Sequence, residues 1–181
     1  MRSGNSPTTG SGSDAVYSAT MSWIGELVAI FTAAEPGAMP ESRQEALALA
    51  GVGLEGDRYA GGTGTFSKGE SAGRQVTLVA LEALEQVEQE HGLHLAPGWS
   101  RRNLTTRGVP LNDLVGQTFR VGGSVLVGVR LCEPCGYLEE LTGKPLKTAA
   151  KGRMGLRADI VEGGPIRVGD RIEPAEVASA G

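Results

Sequence analysis

The chain has 181 residues, and its 17 basic and 21 acidic residues give a net charge of −4. The 28 glycines are roughly 15% of the chain against a background of about 7%, while a hydrophobic content of 40% excludes collagen and a wholly disordered chain. The acidic balance and the 4% aromatic content disfavour a general nucleic-acid or membrane surface. We therefore predict no nucleic-acid or membrane partner and expect any anion site to be local.

The cellular compartment is indicated by the cysteines and the N-terminus. Two cysteines are too few for a disulfide framework, and no basic segment followed by an apolar one opens the chain as a secretory signal would. No apolar run approaches the roughly 18 residues of a membrane span. We expect a cytoplasmic protein.

Three segments are predicted along the chain. Residues 1–21 are rich in Ser, Thr and Gly and predict a flexible tail. Residues 22–174 carry the apolar patterning of one domain, and residues 175–181 predict a C-terminal tail. A polar, glycine-rich loop over residues 56–73 is long enough to be functional.

Short apolar runs separated by Gly and Pro predict about eight strands and two or three short helices. The predicted strands are residues 23–31, 45–54, 75–79, 103–107, 117–121, 124–131, 156–161 and 166–172. The predicted helical segments are residues 80–89, which Gly92 would end, a turn at 111–115, and residues 136–141. This inventory predicts a mostly β, single-domain β-barrel.

Tight turns are predicted at three places. Gly122-Gly123 lies between two β-type runs and predicts a hairpin. Residues 162–165 (Glu-Gly-Gly-Pro) predict a second hairpin, and Gly169-Asp170 predicts a turn.

The sharpest chemical feature is Cys132-Glu133-Pro134-Cys135, between a predicted strand and a predicted helix. A thiol at a helix N-terminus is favoured as thiolate, which makes Cys135 the better nucleophile or metal ligand. One alternative is a pair of small buried hydrophobes, and another is a dithiol redox motif. A zinc site with His91 and His94 is a third, and a single thiolate on a soft, high-valent metal carried by a cofactor is a fourth.

Cationic residues placed among glycines or at strand starts predict an anion site in this acidic chain. Guanidinium groups bind phosphate bidentately, and glycine lets backbone N–H groups approach a ligand closely. Asp57 would either accept hydrogen bonds from an aminopterin edge or cap its own turn. The cationic residues are Arg58, Arg74, Arg101, Arg102, Lys151, Arg153 and Arg157.

The ordered series of motifs closely resembles the MOSC domain, named for the C-terminal domain of molybdenum cofactor sulfurase, over residues 23–173. No single motif is diagnostic, but their order is specific. The motifs are Gly-Leu-Glu-Gly-Asp-Arg (53–58), Arg-Gln-Val-Thr-Leu (74–78), Arg-Arg-Asn-Leu-Thr-Thr-Arg-Gly-Val (101–109), Gly-Gln-Thr-Phe-Arg-Val-Gly (116–122), Cys-Glu-Pro-Cys (132–135), Gly-Arg-Met-Gly (152–155) and Gly-Gly-Pro-Ile-Arg-Val-Gly-Asp (163–170).

The resemblance implies a barrel-like fold and a molybdenum cofactor with one cysteine thiolate on the metal. By position, Cys135 matches that ligand, and Cys132 resembles an accessory position. Tyr59 replaces the family's histidine after Gly-Asp-Arg, so it joins Cys135 and Asp57 as a catalytic candidate. The implied cofactor-binding residues are Gly56, Asp57, Arg58, Arg102, Asn103 and Arg153.

The resemblance also implies a reaction. Similar stand-alone proteins are associated with reducing N-hydroxylated small molecules with electrons from a separate partner, which we expect to be a flavin or heme protein. We expect a monomer or homodimer. A persulfide or molybdenum cofactor carrier without substrate turnover is the alternative, and a binding barrel without cofactor is a third. No feature of the sequence predicts a site for pyridoxal phosphate.

Overall fold

The computed structural model describes residues 22–62 and 72–175. The predicted tail over residues 1–21 lies outside the described residues, as do residues 63–71 of the predicted loop and residues 176–181. No helix in the described ranges is long and apolar enough to cross a membrane.

Eleven short strands dominate the part of the chain that the structure describes. Numbered in chain order, they are Gly25–Thr32 (β1), Glu41–Arg43 (β2), Glu45–Leu49 (β3), Gly53–Leu54 (β4), Val76–Ala80 (β5), Leu104–Arg107 (β6), Thr118–Val121 (β7), Ser124–Leu131 (β8), Leu156–Glu162 (β9), Gly164–Arg167 (β10) and Arg171–Pro174 (β11). The α-helices are Leu81–His91 (α1), Gly136–Thr142 (α2) and Leu146–Ala149 (α3), and short 3₁₀ helices cover Pro97–Ser100 and Leu111–Leu114. The prediction of a mostly β protein with two or three short helices is confirmed.

Seven of the strands close into a barrel in the order β1, β11, β7, β8, β9, β5, β6 and back to β1. All neighbours pair antiparallel except β5 and β6, which are parallel. A parallel pair needs a crossover connection, and α1 with the segment that follows it provides one. β2 extends β1 outside the ring, and β10, β3 and β4 form a separate three-stranded sheet.

The barrel interior is the main hydrophobic core. Each strand alternates side chains between two faces, so one face of β1, β5 and β8 supplies fully buried residues such as Leu27, Leu78 and Leu126. A second apolar cluster packs the helices against the outside of β5, with Val79, Leu84, Leu138 and other residues. The helices therefore pack against the outer surface of the barrel.

Several local predictions agree with the structure. Gly122 and Gly123 join β7 and β8, whose register pairs Val121 with Ser124, so the predicted hairpin is confirmed. Gly92 ends α1 in the left-handed region at φ 65° and donates to the Glu88 carbonyl. The predicted turn at Gly169 is also present, with φ 92°.

Other local predictions are wrong. The predicted strand over residues 45–54 is two strands, β3 and β4, separated by a turn that contains Gly51 at φ 73°. Residues 162–165 do not close a hairpin, because β9 pairs with β5 and β8 while β10 pairs with β3. Gly163 and Gly164 instead allow other backbone segments to come close. A Cβ added at Gly163 would collide with the carbonyl oxygen of Ala48, and one added at Gly164 would collide with that of Gly123. β2 and α3 were not predicted.

Gly155, at the start of β9, generates a test of the barrel's close packing. Its φ is +100°, and an added Cβ would collide with the backbone carbonyl oxygen of Leu78 on β5. We expect Gly155→Ala to lower the free energy of unfolding by about 3 kcal/mol, because the clash adds to the backbone penalty. Urea denaturation measures this change. Gly116→Ala is the control, since Gly116 has φ +78° and open space around it; equal losses in the two variants would contradict the expectation.

Candidate functional site

A cavity of about 310 Å³ opens at one end of the barrel. Its walls carry six arginines and one glutamate, in a chain whose net charge is −4. The lining residues are Arg58, Tyr59, Arg74, Thr77, Arg101, Arg102, Asn103, Arg130, Glu133, Cys135, Tyr137, Leu138 and Arg157. We call this space the arginine cavity; its charge suits an anionic ligand.

The two cysteines of Cys-Glu-Pro-Cys have opposite environments. Cys135 is exposed, lines the arginine cavity and precedes the first residue of α2. Cys132 is 2% exposed, and its backbone N–H donates to the Gly155 carbonyl at 2.7 Å. Only Cys135 therefore presents its thiol to a ligand in this cavity.

Arg102 supports the segment that carries Cys135. Its side chain is nearly buried, and Nε donates to the Met154 carbonyl at 2.9 Å. Its Nη2 lies 3.5 Å from the carbonyl oxygens of both Cys132 and Glu133. The guanidinium thus joins the loop after β8 to the loop before β9, which positions the cysteine segment at the cavity.

Asn103 joins three parts of the barrel through one amide. Its Oδ1 accepts from the Thr77 backbone N–H at 3.1 Å and from the Thr77 hydroxyl at 2.9 Å. Its Nδ2 donates to the Phe31 carbonyl and to Asp57 Oδ2, both at 3.2 Å. These bonds tie β5, β1 and the Asp57 turn to the start of β6.

Asp57 lies behind the cavity wall and is almost fully buried. Besides the bond from Asn103, Oδ2 accepts from the Ala33 N–H at 3.1 Å, and Oδ1 accepts from the Tyr59 N–H at 3.0 Å. Asp57 is not among the residues that line the arginine cavity. Its carboxylate shapes the turn that presents Arg58 and Tyr59.

Arg58 and Tyr59 follow Asp57 in that turn, and both line the arginine cavity. The Arg58 guanidinium carbon lies 4.9 Å from the centroid of the Tyr59 ring. Nη1 of Arg58 is 3.8 Å from Asp57 Oδ2. Gly56 precedes them with φ +78°, so it serves the turn, and no atom lies within 4 Å of an added Cβ.

Arg101 is the only non-glycine residue with positive φ in the described ranges, at 58°. Its Nη1 donates to the Ala38 carbonyl at 2.9 Å, and its guanidinium carbon lies 5.9 Å from the centroid of the Tyr137 ring. Burial lowers the pKa of Arg101, and the positive charge of Arg58 lowers it further. The side chain is a fixed cation in the cavity wall.

Arg130 and Arg157 are neighbours on the adjacent strands β8 and β9. They pair directly in the register of β8 with β9, and both line the arginine cavity. Like charges in directly opposite positions of a sheet are destabilising. A bound anion would offset that repulsion, so this pair marks the side of the cavity suited to a phosphate.

Some predicted residues lie elsewhere. The Arg153 guanidinium pairs with Glu90 at 2.6 Å, outside the arginine cavity. His94 Nδ1 contacts Glu88 at 2.9 Å and His91 Nε2 is 3.8 Å from Glu90. Across residues 22–62 and 72–175, no group of three or more His, Cys, Asp or Glu residues is placed to hold a metal ion, so the zinc alternative has no structural basis.

The sequence predictions missed Arg130, Glu133 and Tyr137 as lining residues. Arg130 is the next-to-last residue of β8, whose other members are apolar or small, and this position is its only signal in the sequence. Arg74, Arg101 and Arg157 belong to the set of cations that predicts the anion site, but they are absent from the cofactor-binding residues that the resemblance implies. Their convergence depends on the strand order, in which β8, β9, β5 and β6 are consecutive neighbours.

The fold and the site define a closed β-barrel protein with an exposed thiol in an arginine-lined cavity. Residues 56–173 match the family model described as the MOSC domain. The chain belongs to the MOSC domain family, which is associated with molybdenum cofactor binding. The resemblance stated from the motifs is thereby confirmed.

Solved structures with the same fold include YuaD from Bacillus subtilis, with a TM-score of 0.69, 18% identity, and coverage of 86% of this chain and 100% of that one. YiiM from Geobacillus stearothermophilus aligns with a TM-score of 0.61 and 14% identity over 86% of this chain and 77% of that one. YiiM from Escherichia coli aligns with a TM-score of 0.57 and 19% identity over 87% and 71%. At these identities the likeness establishes the fold. No curated protein matches the chain.

The Asp57 network generates a test of how the cavity wall is held. Asp57→Asn preserves the shape but replaces one acceptor oxygen with a donor NH₂ that faces other donors. We expect the free energy of unfolding to fall by about 2–3 kcal/mol, because a buried donor is left without a partner. Chemical denaturation checks this, with the exposed Asp113→Asn as control. A loss no larger than in the control would show that the network does not hold the wall.

Proposed function

We propose that this protein holds a molybdenum cofactor in the arginine cavity, with Cys135 as the thiolate ligand of the metal, and reduces N-hydroxylated small molecules. The electrons would come from a separate flavin or heme protein. The observation that carries the proposal is the exposed Cys135 thiol in a cavity lined by six arginines. The family's association with the cofactor supports it.

The donor set of the arginine cavity fits such a cofactor. A thiolate is a soft ligand suited to a soft metal centre. Guanidinium groups bind phosphate through paired hydrogen bonds, and Arg130 and Arg157 form such a pair of donors on adjacent strands. Arg58 and Tyr59 contribute a cation and a phenol to the opposite wall.

The overall conversion consumes two electrons and two protons. The N–O bond of the substrate breaks, the nitrogen is reduced to an amine, and the oxygen leaves as water. The bound cofactor supplies the two-electron redox chemistry. The chain's own residues bind, orient and exchange protons, and we assign the proton-exchanging role to the Tyr59 hydroxyl, which lines the cavity.

Three residues have positioning roles in this proposal. Arg102 holds the Cys132 and Glu133 carbonyls, and Asn103 holds the walls formed by β5 and β1. Asp57 fixes the turn before Tyr59 rather than touching substrate, because its oxygens are occupied by N–H donors. Arg153 has no part in binding, since it pairs with Glu90 outside the cavity.

The exposed Cys135 thiol also suits the alternative of a persulfide or molybdenum cofactor carrier. The two functions differ in turnover. Cofactor-loaded protein given a reduced viologen dye and N-methylhydroxylamine should oxidise two dye molecules for each amine formed if it is a reductase. Cofactor-loaded protein that oxidises no dye would exclude the reductase and favour the carrier.

Cys135→Ala tests the metal ligand. We expect protein purified from a host that makes molybdenum cofactor to contain molybdenum and pterin, and the variant to lose nearly all of both. Metal analysis and the fluorescence of released pterin give the readout. Cys132→Ala is the matched control, because Cys132 is buried away from the cavity. Equal loss in the two variants would overturn the assignment of Cys135.

Arg130→Gln tests the phosphate side of the cavity. Removing a charged donor from a phosphate contact costs about 1.5–3 kcal/mol, so we expect cofactor retention to weaken by about tenfold or more. Dialysis against cofactor-free buffer, followed by pterin fluorescence, measures retention. Arg120→Gln on β7 is the control, because Arg120 is exposed and does not line the cavity. If Arg130→Gln retains as much cofactor as Arg120→Gln does, Arg130 does not contact the phosphate.

A further inference from the structure

A second cavity, of about 280 Å³, adjoins the arginine cavity and differs from it in character. It is lined by Gly37, Met39, Trp99, Arg101, Leu141 and Thr142. Met39 is 52% exposed, Trp99 45% and Leu141 39%. Single exposed apolar side chains are ordinary, but three that line one cavity form a patch of the kind that marks a binding site. We call it the apolar cavity.

The two cavities meet at one side chain and share one helix. Arg101 lines both of them. α2 contributes Tyr137 and Leu138 to the arginine cavity and Leu141 and Thr142 to the apolar cavity. These positions are one helical turn apart, or about 6 Å along the axis. The two cavities are therefore neighbouring compartments that have Arg101 and α2 in common.

The boundary between the compartments is preformed. The Arg101 guanidinium is held by the Ala38 carbonyl and by the face of the Tyr137 ring. The Tyr137 hydroxyl would lie 3.6 Å from a Cβ added at Gly37, so the helix and the loop before β2 are in close approach. The Arg101 side chain is thus held in place where the two cavities adjoin.

We propose that the apolar cavity binds the uncharged alkyl or aryl substituent of a small-molecule substrate whose N-hydroxylated end lies at Cys135. This inference rests on the proposed function, which puts the reacting end in the arginine cavity. Because Arg101 lines both cavities and α2 contributes residues to each, one small molecule with a polar end and an apolar end suits the pair. The substrate class is thus N-hydroxylated compounds with an apolar tail of several carbons, and short or charged tails are disfavoured.

Tail length gives the first test. Cofactor-loaded protein with reduced viologen is assayed with N-alkylhydroxylamines from methyl to hexyl. We expect kcat/KM to rise by about threefold for each added methylene until the apolar cavity is filled. A kcat/KM that does not depend on tail length would overturn the inference.

Leu141→Gln tests the wall itself and keeps a residue with good helix propensity. We expect the hexyl-to-methyl ratio of kcat/KM to fall by about tenfold. Leu47→Gln is the matched control, since Leu47 is also 39% exposed but lies on β3, outside both cavities. An unchanged ratio in Leu141→Gln, or an equal fall in the control, would overturn the inference.

Binding without turnover separates the failure of this inference from the failure of the proposed function. With no electron donor present, the same compounds should shift the emission of Trp99 to the blue as the tail covers the indole, and Trp99→Phe should abolish the shift. A shift that grows with tail length, without reduction of any compound, would support the apolar site and overturn the proposed reaction. Reduction with no shift and no length dependence would leave the reaction and overturn the apolar site.

A second copy of the chain is the competing occupant. If it covered Trp99, the emission would move to the blue as protein concentration rises, without any ligand. Such a change, together with dissociation of the assembly by Leu141→Gln in sedimentation, would overturn the inference in favour of a dimer interface.

Discussion

The Asn103 side chain makes the contacts on which the rest of the site depends. Its amide uses both its oxygen and its nitrogen, toward Thr77 on β5, Phe31 on β1 and the buried Asp57 carboxylate. Buried polar groups must be satisfied, and a fully satisfied network is rigid. Because Asn103 stands next to Arg102 and Arg101, this rigidity fixes where two of the cavity's cations lie.

The directions of the strands explain why six arginines converge at the arginine cavity. β5 and β6 are the only parallel neighbours in the barrel, so their N-terminal ends coincide, and the Thr77–Asn103 contact joins them there. β8 runs antiparallel to β9, so Arg130, near the C-terminal end of β8, meets Arg157 near the start of β9. An acidic chain thereby gathers six arginines around one space. Such a concentration of like charge costs stability unless an anion occupies the cavity.

Much of the fold could be predicted because its signals are local. The strand over residues 124–131 and the Gly122-Gly123 hairpin follow from a β-type pattern and turn chemistry. Residues 162–165 carry the same type of signal, yet the glycines there serve close packing against Ala48 and Gly123. A glycine pair in the sequence indicates either a turn or a place where another part of the backbone comes close. Tertiary contacts decide which of the two forms.

The site was predictable to a lesser degree, and for a related reason. Cys135, Arg102 and Asn103 lie in short motifs, whereas the Arg130–Arg157 pair depends on the pairing of β8 with β9 and the apolar cavity depends on contacts between distant segments. Met39, Trp99 and Leu141 belong to three segments that share no sequence pattern. Each looks like an ordinary exposed hydrophobe, and only their common cavity distinguishes them.

The pairing of the two cavities has a consequence for how selectivity and chemistry are divided. In the arginine cavity, Arg102 and Asn103 belong to buried hydrogen-bond networks, so changes at these two residues alter the fold as well as the cavity wall. The apolar side chains that line the apolar cavity, Met39, Trp99 and Leu141, are partly exposed, so substitutions of these residues cost little stability. In the proposed function, preference for the substrate's tail can therefore change through Met39, Trp99 and Leu141, while the contacts that hold Cys135 stay as they are.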